Sequence, residues 1–132
     1  MATNRDPSQH PLPVPITARW RRLELLPAPR GRDAMPGVYE LAGEDKVVVY
    51  IGQSARDVPN RIRQHLARPG PVRDMARYWR YAYSRVPQAE EARLLEEYRR
   101  RHHGQVPPCN TAKPLQRDPK RRFVERFGFE GE

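Results

Sequence analysis

The stretch GVYELAGEDKVVVYIG, residues 37–52, constrains this chain more than any other. Two runs rich in β-branched and aromatic residues, Val38–Leu41 and Lys46–Ile51, flank the turn segment AGED, which is the pattern of a β-hairpin. The second run is almost continuously apolar, as a central strand covered on both faces would be. Tyr39 and Tyr50 stand in similar apolar-glycine settings within this pair, with ten residues between them. Tyrosine suits half-buried pleated surface, so packing alone accounts for most strand tyrosines. A chemical role for these two needs other residues to converge on them.

Downstream the periodicity changes. Asp57 is the N-cap of a helix expected over Val58–Ala67, with Pro59 in its first turn and Val58, Ile62 and Leu66 as its apolar stripe. ARPGPVR reads as a loop. Tyr78–Arg85 alternates, so that Trp79, Tyr81 and Tyr83 share one strand face. A helix over Gln88–His103 follows, with Gly104 at the C′ position and the prolines of VPPCN ending it. Its buried side is read as Ala92, Leu95, Tyr98 and His102. A last short helix is expected around Pro119–Phe127. The order is β-β-α-β-α plus a C-terminal helix, an α/β (α+β) domain around a small central sheet of roughly three strands. Seven of the fifteen prolines fall in residues 1–36, so residues 1–35 read as a proline-rich basic arm and 113–132 as a basic tail. Within the arm, ITARWRRLELL is compatible with either a short strand or a helix.

A chain of 132 residues has room for one modest core. Its net charge of +9, carried almost entirely by arginine, points to a polyanionic partner, nucleic acid ahead of an anionic membrane. The longest apolar run, Val47–Ile51, is far too short to cross a bilayer. The first fifteen residues lack the apolar core of a signal peptide. Cys109 is the sole cysteine, so no intrachain disulfide can form and a cytoplasmic setting is expected.

On the first helix Arg61 and His65 are four residues apart and share a face, although alone they describe an ordinary surface arginine and boundary histidine. On the second helix Glu96 projects from the shoulder of the buried side. Glu91 lies nearer the centre of the apolar arc, but in the first turn. Brought together with Tyr39 and Tyr50, such a set can hydrolyse a phosphodiester. The carboxylate would hold one hard divalent cation, Mg²⁺ (or Mn²⁺), which takes few protein ligands. The arginine would neutralise charge growing on the phosphate oxygens, and a tyrosine or histidine would take the proton of the attacking water. Tyrosine, with a reference pKa of about 10, needs nearby positive charge to act as that base.

These residues resemble the GIY-YIG nuclease superfamily. GVY at 37–39 and YIG at 50–52 look like its two signatures. RIRQH at 61–65 is similar to its helix with the essential arginine and a histidine one turn later. ARLLE at 92–96 looks like the segment ending in its metal-binding glutamate, and PPCN at 107–110 is similar to its proline-rich stretch closing on an asparagine. The resemblance covers residues 36–112, five features in order, and implies a GIY-YIG-like sheet flanked by helices. By that likeness Tyr39 and Tyr50 are site tyrosines, with Tyr39 the first choice for the general base. Arg61 stabilises the transition state, Glu96 binds the metal, and His65 assists proton transfer or grips phosphate. Asn110 braces the site or contacts the substrate backbone, and Gly37 and Gly52 permit close approach of chain and substrate.

The chain departs from the family pattern in having Val38 where isoleucine is usual. It also carries one extra residue before Arg61, so GQSARDVPN must bulge. Arg56 falls in that loop as a weaker candidate for the arginine role, and with Arg63 it is a candidate substrate contact. The gap from Glu96 to Asn110 is a little long, which keeps Glu91 open as the metal ligand. The function implied is a metal-dependent endonuclease acting on DNA, with RNA not excluded and no membrane involved. The alternative is a non-catalytic nucleic-acid-binding module on the same scaffold. Trp79, Tyr81 and Tyr83 offer a base-stacking platform, although sheet packing is the more ordinary use of such residues.

Overall fold

The computed structural model describes residues 16–111. Four antiparallel strands form one sheet: β1 (Arg21–Arg22), β2 (Gly37–Ala42), β3 (Val48–Ser54) and β4 (Tyr78–Tyr83), in the order β1-β4-β2-β3. Three helices pack on it: α1 (Val58–Leu66), α2 (Pro71–Met75) and α3 (Pro87–Arg101). This is a mixed α+β fold with one more strand than expected. The extra strand is the pair Arg21–Arg22, bonded to Trp79 and Tyr78. Of the two alternatives open for ITARWRRLELL, a short strand forms at Arg21–Arg22 and a single 3-10 turn follows at Leu23–Leu25, within the stretch read as an arm. The helix expected around Pro119–Phe127, the tail and residues 1–15 lie outside the described residues. Among the described residues no helix is long and apolar enough to cross a membrane.

The central strand is β2, paired on both sides and buried at every residue from Gly37 to Ala42. The run Lys46–Ile51, expected to be central, instead belongs to edge strand β3, which begins at Val48 and continues through Gly52 to Ser54. Its apolar content arises because both faces are covered although one edge is free. On one face Tyr39, Leu41, Val49 and Trp79 pack with Val58 and Ile62 of α1, Val72 of α2, and Cys109. On the other, Val38 and Ile51 pack with Leu94 of α3 and with Ile16. The free edge of β3 is closed locally by Asn110, from the 3-10 turn Pro108–Thr111. Its Oδ1 accepts from Ile51 N–H (2.9 Å) and its Nδ2 donates to Ile51 O (3.0 Å), as a neighbouring strand would.

Local signals explain most element ends. Asp57 caps α1 by accepting from Asn60 N at 3.0 Å. ARPGPVR, read as a loop, contains the start of α2, whose Pro71 suits a first helical position. Helix α3 ends with His103, not Gly104, in the first left-handed position (φ 53°), and Gly104 N–H closes on Arg99 O at 2.8 Å. The buried stripe of α3 also differs from expectation. Leu94 is its buried residue, flanked by half-buried Glu91, Leu95 and Tyr98, whereas Ala92 and His102 are exposed. The strand alternation of Trp79, Tyr81 and Tyr83 holds, with Trp79 fully buried and Tyr83 mostly exposed. Trp79 and Tyr81 stack with ring centroids 5.7 Å apart and Arg21 lies over Trp79, so packing occupies those two rings.

Candidate active site

Strand register sets the first part of the site. Tyr39 pairs directly with Gly52, and Leu41 with Tyr50, so both tyrosines lie on the sheet face covered by α1, on a diagonal. Their ring centroids are 6.1 Å apart. Glycine at 52 is what makes this possible. A Cβ there would lie 2.6 Å from Tyr39 Cζ and Oη and 2.8 Å from Tyr50 Cε2, well inside contact. Gly52 therefore makes room for the two rings, a role distinct from the substrate approach inferred from sequence. Gly37 serves the sheet in a similar way, since a Cβ there would sit 2.3 Å from the Ala82 carbonyl.

Helix α1 adds Arg61 and His65. The His65 ring lies 4.9 Å from that of Tyr50, tilted by 57°. Burial first, then the positive charges of Arg61 and Arg68, lower the His65 pKa from 6.5 to about 4, so the imidazole is neutral at physiological pH. Arg61 is exposed, and among the described residues its guanidinium bonds only Gln64 Oε1, at 3.4 Å. Arg63, expected to contact substrate, points elsewhere. Its Nη2 donates to the carbonyls of Pro27 (2.6 Å) and Leu26 (3.4 Å), tying α1 to the preceding loop.

Helix α3 supplies the carboxylate, and the structure brings Glu91 to the cluster rather than Glu96. Glu96 is exposed, about 160° around the helix from Leu94, whereas Glu91 is about 60° from it. Burial raises the Glu91 carboxyl above the ordinary carboxylate range, and Arg61 offsets part of this. Glu91 acts on both tyrosines, raising each, while Arg61 lowers each. Burial is nevertheless the largest influence on Tyr39 and Tyr50 and holds both phenols protonated. Tyr39 is entirely buried, and its hydroxyl has no hydrogen-bond partner among the described residues. Tyr50 is half-buried.

No group of three or more His, Cys, Asp or Glu able to hold a metal ion occurs among the described residues. The half-buried carboxylate of Glu91 is the oxygen donor of the cluster that suits a hard cation. Mg²⁺ accepts such sparse sets because it retains waters and takes further oxygens from a phosphate.

The cluster opens through Arg61 into a groove of about 910 Å³. Its floor is the end of β3 (Gln53, Ser54). One side is α1, another the first turn of α3 (Pro87–Ala89), and a third the loop carrying Arg30 and Ala34. Arg56 also lines it, as does Asp57. Asn110, engaged with Ile51 through both ends of its amide, braces the β3 edge next to Tyr50.

Sequence reasoning named the two tyrosines, Arg61 and His65, and the structure brings these four together. It did not single out Arg30, because nothing in PAPRGRD has a periodicity or a spacing to mark it. The signal that could have favoured Glu91 was the apolar arc of α3, in which Glu91 sits closer to Leu94 than Glu96 does. The chain matches no family model, no curated protein and no solved structure.

Proposed function

We propose that the protein is a metal-dependent endonuclease of GIY-YIG type that hydrolyses phosphodiester bonds in DNA. The observation that carries this reading is the gathering of Tyr39, Tyr50, His65 and Glu91 around Arg61, which alone of the five lines a groove that also carries Arg30 and Arg56. Each is chemically competent for one part of the reaction, and the groove has the charge to hold a phosphate backbone.

Tyr50 takes the role of general base in this reading. It is the tyrosine that an attacking water can reach, whereas the Tyr39 hydroxyl is shut off from solvent. The Tyr39 hydroxyl has no hydrogen-bond partner while both phenols are neutral, and in this scheme it donates to the Tyr50 oxygen once the phenolate forms, the direction that lowers the Tyr50 pKa. With the charge of Glu91 balanced, Arg61 and Tyr39 both favour the Tyr50 phenolate, which takes the proton of water as its oxygen attacks phosphorus; the P–O bond to the departing sugar oxygen breaks, and solvent protonates that oxygen. Arg61, exposed at the groove, meets the charge that grows on the non-bridging oxygens. Neutral His65 packs on the Tyr50 ring, where it orders the phenol and accepts or passes a proton by hydrogen bonding rather than gripping phosphate as a cation. Glu91 would hold the Mg²⁺ or Mn²⁺, which when bound supplies Lewis-acid polarisation of a phosphoryl oxygen. Glu96, exposed on the far side of α3, has no part in this scheme.

The test is cleavage of supercoiled, single-stranded and branched DNA with Mg²⁺ or with EDTA. Nicking that depends on Mg²⁺, is abolished in Glu91→Gln and survives in Glu96→Gln is the expected outcome. Cleavage that persists in EDTA, or that tracks Glu96 instead, overturns the metal assignment. Tight DNA binding with no cleavage of any substrate supports the non-catalytic binding module instead.

A further inference from the structure

One wall of the groove is built by residues that no motif marked. The loop between the Leu23–Leu25 turn and β2 is held against α1 and β4 by polar ties. Arg63 Nη2 donates to Pro27 O (2.6 Å), Val58 N to Met35 O (3.2 Å), and Tyr81 Oη to Asp33 Oδ1 (3.1 Å). The decisive tie is at Asp57. One of its carboxylate oxygens caps α1 at Asn60 N, and the other accepts from Arg30 N at 2.9 Å. The Asp57 side chain thus joins Arg30 directly to the start of the helix that carries Arg61.

Arg30 adopts φ 58°, the left-handed region in which a side chain is disfavoured and glycine is not. Glycine suits the backbone here, and Gly31 is the next residue, yet the position holds arginine. Arg30 lines the groove together with Arg56 and Arg61. Among the described residues lining the groove, Asp57 is the one acid, and both its oxygens already accept backbone N–H groups. Three arginines therefore line a cleft with a single carboxylate, itself engaged by two backbone N–H groups, so the cleft carries a positive balance.

We propose that Arg30 is a DNA-binding residue that grips a backbone phosphate of the strand next to the phosphate facing Arg61, and that Asp57 positions it. The proposal rests on the DNA reading of the site but not on catalysis. Arginine suits the role through its bidentate fork, and a loop already tied down loses little entropy on binding.

The experiment measures binding of a fluorescent DNA duplex in EDTA, so that no cleavage occurs, across a salt series. Wild type, Arg30→Gly and Arg32→Ala are compared; Arg32 is exposed in the same loop but does not line the groove. Loss of one phosphate contact lowers the slope of log K against log salt by about 0.9, so raising salt fourfold should cost wild type about 3.5-fold more affinity than Arg30→Gly. Arg32→Ala should keep the wild-type slope. Arg30→Gly should also melt close to wild type, because glycine fits the left-handed backbone, and this separates lost contact from lost fold. A slope unchanged in Arg30→Gly, or lowered equally in Arg32→Ala, overturns the proposal. An Arg30-dependent slope in a protein that never cleaves DNA would sink the nuclease reading and leave this one standing. Cleavage with an Arg30-independent slope does the reverse.

Discussion

Replacing Tyr39 by phenylalanine separates the two things its hydroxyl does. In the folded protein that hydroxyl is buried without a partner. Burying an unpaired hydroxyl costs about 1–3 kcal/mol in protein mutational series. Phenylalanine keeps the ring, removes this cost and loses only the packing of one oxygen near Gly52. A net gain of about 1 kcal/mol would raise Tm by about 4–8 °C in a domain of this size. Catalysis should move the other way. A hydrogen bond to a charged group contributes about 1.5–3 kcal/mol, so losing the donor to the Tyr50 phenolate should lower kcat at neutral pH by about 10–100-fold. The rise of rate with pH should shift to higher pH, because burial and Glu91 already hold the Tyr50 proton. The assay pairs thermal unfolding with the pH dependence of plasmid nicking. A variant that melts lower than wild type while keeping its kcat and pH profile would refute the reasoning on both counts.

Further tests address the residues around that pair. Gly52→Ala places a Cβ 2.6 Å from the tip of Tyr39 and should destabilise by about 1–3 kcal/mol as an overpacked contact, with loss of nicking even where the variant remains folded; wild-type melting would contradict the register-based account. His65 resists protonation until about pH 4, whereas the unfolded chain takes up that proton near 6.5. The unfolded state then binds more protons as pH falls between these values, so stability should drop in acid. His65→Gln should lose this part of the acid sensitivity, as read from denaturant midpoints across that range, and an unchanged pH dependence would refute it. Asn110→Ala leaves the Ile51 N–H and C=O without their side-chain partner and should destabilise by about 2 kcal/mol in urea unfolding. A substrate-binding role alone would instead weaken DNA affinity and leave the urea midpoint in place.

Much of the architecture was legible because local rules write it. The hairpin, the Asp57 cap, the α1 stripe and the alternation of β4 each follow from neighbours a few residues apart, and each is present in the structure. The fourth strand was legible only as one of two alternatives for ITARWRRLELL, since the two residues Arg21 and Arg22 carry no strand pattern of their own and are recruited by β4. The edge position of β3 was hidden for a related reason. An apolar run reports that both faces are covered, whereas centrality depends on which strands pair, and β4 returns to the far side of β2.

The site divides along the same line. By itself the sequence offered candidate side chains for the proposed chemistry, placed Tyr39 and Tyr50 on adjacent strands and, through the i, i+4 spacing, put Arg61 and His65 on one helix face. Only the tertiary structure decided the rest. It half-buried Glu91 and left Glu96 exposed, because the packed stripe of α3 is set by what Leu94 meets on the sheet. It assigned Gly52 to the tyrosine rings, Asn110 to the β3 edge, Arg63 to the loop and Arg30 to the groove. Each of these depends on contacts between residues distant in the chain, and such contacts leave no periodic trace in the sequence.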